Sequence, residues 1–173
     1  MAESNNEIME LIEKLRTDDY KVRTAVTRQI AEKARMGAGP LESALSDPDA
    51  RVKMGIIRAL GDARVSSSVE KLTDLLKDED SRVRTNAAES LGKIGESRAV
   101  ERLIGSLSDE NKYVRAAAAL ALGKLRDASA IKPIINAFKL ADPGERIEAV
   151  EALKSITGKN MGPELNDWLC LLN

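Results

Sequence analysis

The side chains able to do chemistry in this chain are cations, carboxylates and two tyrosines, and they recur on a fixed frame. Arg28, Arg51, Arg58 and Arg82 stand among Tyr20, Lys21, Met54, Asn86, Glu89, Lys112, Tyr113 and Leu120. Glu148 and Glu151 follow, so the set is basic over its first two-thirds and acidic at its end. Arginine and tyrosine are the residue types that anchor protein interfaces. Cations aligned on successive helices would attract a peptide or protein carrying an acidic segment.

Catalysis finds no such pattern. Histidine is absent, which removes histidine bases, histidine metal ligands and histidine pH switches. The one cysteine, Cys170, has no histidine to activate it, and the apolar run Trp168-Leu169-Cys170-Leu171-Leu172 reads as a packed thiol. The carboxylates scatter over solvated helix faces and helix starts. Gly37-Ala38-Gly39-Pro40 and the pair Gly92 and Gly95 follow no strand and read as helix stops, not as a dinucleotide fingerprint. The expectation is no catalytic residue, no metal and no cofactor.

Composition narrows the class. The chain has 173 residues, a net charge of −1 and 32% charged residues, which fits one domain or one short repeat array. Near-neutrality argues against nucleic acid as the partner. Aromatics are 2%, so the core must be aliphatic, which suits close-packed helices. A lone cysteine points to a reducing, cytoplasmic setting. The first 16 residues are acidic and amphipathic and lack the form of a signal peptide, and no stretch is apolar enough to span a bilayer.

The elements that must position these residues repeat. Leu60, Leu91, Leu122 and Leu153 are each 31 residues apart. In one copy Val83, Ala87, Leu91 and Ile94 form one face of a helix opened by Asp80 or Ser81 and closed by Gly95. After a short break Val100, Leu103, Ile104 and Leu107 form the stripe of a second. Helices are expected at about 5–16, 19–35, 39–46, 50–62, 67–77, 81–94, 98–107, 111–125, 129–140, 144–157 and 162–172. A unit this short cannot bury its apolar face alone, so copies must stack. Ile8, Leu11, Ile12 and Leu15 make residues 1–17 an N-terminal cap. Leu165, Trp168, Leu169 and Leu172 make 158–173 a C-terminal one. Repeats fill 18–157 of a single domain, 1–173.

The pattern Asp-x-x-Val-Arg-x-x-Ala-Ala-x-x-Leu-Gly-x-Ile-Gly resembles the HEAT-like repeat associated with phycobilisome lyases. Asp80 to Gly95 carries it completely, Asn111 to Leu125 with two changes, and Asp49 to Ala63 and Asp19 to Lys33 more loosely. The resemblance implies an all-α, right-handed solenoid of about five stacked helix pairs with the Val-Arg helices lining the concave face. The residues of the opening paragraph then face that groove. Alanines such as Ala87 and Ala118, with Gly92 and Gly123, would let helices approach closely. Asp49 and Asp80 with Lys53, Arg84, Arg115 and Arg146 read as a ladder between repeats. The resulting expectation is a non-enzymatic scaffold that binds a protein or peptide. Two readings stand beside it. Phycobilin-lyase chemistry follows from the family name alone. Nucleic-acid binding would use the same basic strip.

Overall fold

The computed structural model describes residues 2–35, 37–139 and 141–172, with side chains from residue 6 onward. Met1, Met36, Leu140 and Asn173, which the sequence reading includes in the domain, lie outside the described residues, as does the expected helix end at 140. Among the described residues ten α-helices follow one another: α1 (Ala2–Lys14), α2 (Tyr20–Ala34), α3 (Gly39–Ser43), α4 (Ala50–Ala63), α5 (Val69–Asp74), α6 (Ser81–Ile94), α7 (Val100–Ser106), α8 (Lys112–Leu125), α9 (Ile131–Phe138) and α10 (Pro143–Thr157). No strand occurs among the described residues. Among the described residues no helix is long and apolar enough to cross a membrane.

The long helices α2, α4, α6, α8 and α10 begin at equivalent points because each follows a residue with a short side-chain acceptor. Asp19, Asp49, Asp80, Asn111 and Asp142 have extended backbones and accept a backbone N–H of the first turn. Asp80 is thus the cap of α6, and Ser81 is already helical. The helix ends also recur at one register position. Arg64, Gly95 and Arg126 all close their helices in the left-handed conformation, with φ of 55°, 85° and 55°. Glycine adopts that conformation freely, but an arginine does so at a cost of about 1–2 kcal/mol.

The five long helices form one layer, each packed on the next, and the shorter helices form the other. The short elements are mixed: α5, α7 and α9 each begin from a 3₁₀ turn, and α3 and α5 run on into one. Val52, Val83 and Val114, with Leu60, Leu91, Leu122 and Leu153, are completely buried, and one aliphatic core runs from Ile8 to Trp168. The spacing within the inner layer is set by glycine. A Cβ on Gly92 would lie 2.8 Å from Ala121 Cα, and one on Gly123 would lie 2.9 Å from Ala152 Cα.

The C-terminal stretch departs from expectation. Leu165–Leu172 is a 3₁₀ helix packed on α9 and α10. At three residues per turn Leu165, Trp168 and Leu171 share a face, and Leu169 turns outward. Cys170 is exposed for the same reason, so the packed thiol is corrected.

The ladder between repeats exists, but its acids are different ones. Arg84 reaches Asp109 in the next turn with Nε and Nη2 at 2.8 and 2.9 Å. Its Nη1 donates to the carbonyls of Asp78 and Glu79 at 2.9 and 3.1 Å. Lys53 pairs with Asp78, and Arg115 with Glu145. Arg146 pairs with no carboxylate among the described residues and donates to the Ala141 carbonyl. Asp49 and Asp80 are occupied as helix caps, and the acids that reach Arg16, Lys53 and Arg84 are Asp47, Asp78 and Asp109, each two residues before a cap, whereas Arg115 uses Glu145, three residues after one. Burial raises the Asp109 carboxyl, but the Arg84 guanidinium and the Asn111 backbone N–H outweigh it and hold the group below its ordinary value.

Candidate binding groove

The long-helix layer carries a groove of about 700 Å³, built from α2, α4, α6 and the start of α8. It is lined by Tyr20, Arg28, Arg51, Met54, Arg58, Arg82, Asn86 and Tyr113, which the repeat register brings together from four helices. Lys21, Glu89, Lys112 and Leu120 are exposed but do not line it. Lys112 instead lies over the Tyr113 ring, 5.6 Å from its centroid.

Burial separates the floor from the walls. Asn86 is buried at 5% exposure, so it is part of the floor and not a free contact residue. Its amide nitrogen donates to the Arg82 carbonyl at 2.7 Å, and its oxygen accepts from Arg58 Nε. Met54 is half-buried beside it, and Tyr20 and Tyr113 are 62% and 66% exposed, one towards each end.

The groove also contains Arg23 and Arg35. Arg23 occupies the register position of Lys53 and Arg84, which signals a ladder residue; here its Nη1 donates to the Thr17 carbonyl and its guanidinium lies over the Tyr20 ring at 5.9 Å. Arg35, read within the expected helix 19–35, is instead the residue that caps the end of α2.

The six arginines differ in how far they are neutralised. Arg51 pairs with Asp49 and Asp18, and Arg82 pairs with Asp80. Those guanidiniums hold the Asp49 carboxyl below its usual value and bring Asp80 down to about 2. Arg28, Arg35 and Arg58 make no ion pair among the described residues, and all three are exposed. Glu32 and Asp62 are the only carboxylates that line the groove among the described residues, so the surplus is positive. Glu148, expected on the concave face, is half-buried, and one of its carboxylate oxygens is buried without a partner. No cluster of metal-ligating side chains is present among the described residues.

Stacked helix pairs around a continuous core, with a groove along one layer, define an α-helical repeat solenoid. The chain belongs to the HEAT-repeat family: the family described as "HEAT repeats" matches residues 38–111 and 101–169. Among solved structures, the chain is similar to the complex of CpcE and CpcF of phycocyanin lyase from Nostoc sp. PCC7120, with a TM-score of 0.67 and 23% identity over 86% of this chain and 64% of that one. It thus spans under two-thirds of that chain's length, and the likeness is one of fold. An engineered protein matches at 27% identity with a TM-score of 0.56, over 86% of this chain and 80% of that one. A designed armadillo repeat protein in complex with the peptide (KR)4 matches at 23% identity and a TM-score of 0.56, over 96% and 89%. No curated protein matches the chain.

Proposed function

We propose that the chain is a non-enzymatic binding scaffold whose arginine-lined groove holds an extended peptide segment of acidic character from a partner protein. The observation that carries this reading is the set Arg28, Arg35 and Arg58, exposed and without ion pairs among the described residues, in one groove flanked by Tyr20 and Tyr113. An unpaired guanidinium offers planar, bidentate donors to a carboxylate, and ring faces at both ends supply apolar area. The designed armadillo protein complexed with (KR)4 supports the use of such a fold for a peptide. In this chain the positive charge sits on the groove, so the ligand's sign is reversed.

The lyase reading finds no thiol in the groove, since Cys170 lies on the C-terminal 3₁₀ stretch. Fluorescence anisotropy with labelled peptides tests the scaffold reading. A glutamate-rich peptide should bind and a lysine/arginine peptide should not. Binding should weaken as salt rises towards physiological strength. Arg28→Glu with Arg35→Glu should weaken binding at least tenfold, or about 1.4 kcal/mol, with an unchanged far-ultraviolet spectrum. Preference for the basic peptide, or tighter binding of duplex DNA than of the acidic peptide at equal salt, would overturn it.

A further inference from the structure

The layer that carries the groove changes chemistry along the solenoid. The register position held by Arg28 on α2 and Arg58 on α4 is held by Glu89 on α6, Leu120 on α8 and Glu151 on α10. The position held by Met54 is held by Ala116 on α8 and Ile147 on α10. Three large apolar side chains are therefore left in water beyond the arginines: Tyr113 at 66%, Leu120 at 37% and Ile147 at 67% exposure. A single exposed apolar residue is ordinary, but a group on one face marks an interaction site.

These three belong to one patch. Tyr113, Ala116 and Leu120 are spaced three and four apart on α8, so they share a helix face. Ile147 is one repeat of 31 residues on from Ala116, on the neighbouring helix of the layer. The small Ala116 thus has bulkier neighbours on both sides and on the next helix, which leaves a shallow seat. Tyr113 also lines the arginine groove, so the seat continues it. Glu89 and Glu151, both exposed, sit at the Leu120 register position on either side of α8 and repel an acidic residue there.

We infer that the ligand segment is bipartite: an acidic block lies over α2 and α4, and a large apolar side chain on the same segment seats on Ala116 between Tyr113, Leu120 and Ile147. This rests on the reading that the groove binds an acidic peptide, and it adds the order of the two parts and the distance between them. From α2 to α8 is three helix steps, roughly 24–30 Å at 8–10 Å each. Extended chain covers that distance in roughly seven to nine residues. The apolar anchor belongs that far from the end of the acidic block that lies over α2. Charge settles the choice of occupant, because an apolar patch continuous with unpaired arginines matches a segment that carries both features.

Three labelled peptides test this against wild type and the Leu120→Ser/Ile147→Ser double variant: four glutamates with a Gly/Ser spacer and a terminal Phe-Leu, the same with Ser-Ser in place of Phe-Leu, and Phe-Leu on the spacer without glutamates. Wild type should bind the first at least fivefold more tightly than the second. The double variant should bind the two equally, at the affinity wild type shows for the second. Leu120→Ile/Ile147→Leu should restore the difference. Melting curves confirm that each variant is folded. Equal binding of the first two peptides by wild type would overturn the apolar seat and leave the arginine groove standing. Failure of both, or binding of the third as tight as the first, would overturn the groove reading itself.

Discussion

The hydroxyl of Ser90 is buried against Gly61 and has no hydrogen-bond partner among the described residues. A Cβ on Gly61 would lie 2.6 Å from Ser90 Cβ, so α4 and α6 touch through this pair. The equivalent contacts one and two repeats on are Gly92 with Ala121 and Gly123 with Ala152, where no hydroxyl is buried. Ser90→Ala should therefore stabilise the fold by about 0.5–1 kcal/mol, since an unpaired buried hydroxyl is removed without a change of shape. Urea unfolding checks it, and a destabilised variant would show that the hydroxyl has a partner.

Gly92→Ala should act in the opposite direction. It raises helix propensity by about 1 kcal/mol, but the added methyl meets the Ala121 backbone, which cannot swing aside. A net loss of about 1–3 kcal/mol is expected. A neutral result would mean that the inner helices can slide apart freely.

Arg84 and Asp109 should be strongly coupled. Their side chains are only 9% and 11% exposed, and removing Arg84 leaves a carboxylate and two turn carbonyls without their donor. Arg84→Met should cost about 3–5 kcal/mol, whereas Arg82→Met, on a guanidinium 69% exposed, should cost under about 1 kcal/mol. Chemical denaturation of both variants gives the comparison. Similar losses would show that the ladder is no more than surface pairing.

Arg126→Gly should stabilise the chain by about 0.5–1 kcal/mol, because it relieves a left-handed backbone at a position where the neighbouring repeat already has Gly95. A melting temperature equal to or below that of wild type would mean that the Arg126 side chain makes an offsetting contribution.

Acid should weaken the fold in a defined window. Asp80 is held at about 2 by Arg82, and Asp49 is held low by Arg51. A carboxyl whose folded pKa lies below its ordinary value of 3.8 stabilises the native state above that value, and the contribution is lost as pH falls through the folded one. Stability should drop between about pH 4 and pH 2. Asp80→Asn keeps a cap acceptor but removes the titration, so its stability should fall less steeply over that range. Parallel curves would show that Asp80 takes no part in the acid transition.

Periodicity made the long helices, their aliphatic faces and the glycine contacts legible, because those follow from spacing alone. It also placed Arg28, Arg51, Arg58 and Arg82 beside one another, since equal register means adjacent helices. It could not see which acid of Asp78 and Asp80 caps and which one pairs, because turn geometry aims those two side chains differently. Nor could it tell that Arg58 folds down onto Asn86, which puts Asn86 in the floor. The C-terminal stripe was read at the α-helical period, and the tighter 3₁₀ turn moved Leu169 and Cys170 outside. Ile147 was missed although Met54 shares its register position, because Thr85 and Ala116 between them are polar or small and interrupt the apolar signal.

The constant register has a consequence for how such a chain can be edited. Excising Ser81–Asn111 removes one full unit and joins Asp80 to Lys112. Asp80 then caps α8 as Asn111 did, Arg115 finds the carbonyls of Asp78 and Glu79 in place of those of Asp109 and Glu110, and Gly61 meets Ala121 where it met Ser90. Most lost contacts of the inner layer have an equivalent one repeat away, the Arg58–Asn86 hydrogen bond being an exception because Ala117 takes the place of Asn86. The splice also brings α4, with Arg58, directly against α8, with Leu120. Gain or loss of whole units could therefore change the distance between charged and apolar seats in steps of one helix, leaving the chemistry of each seat untouched.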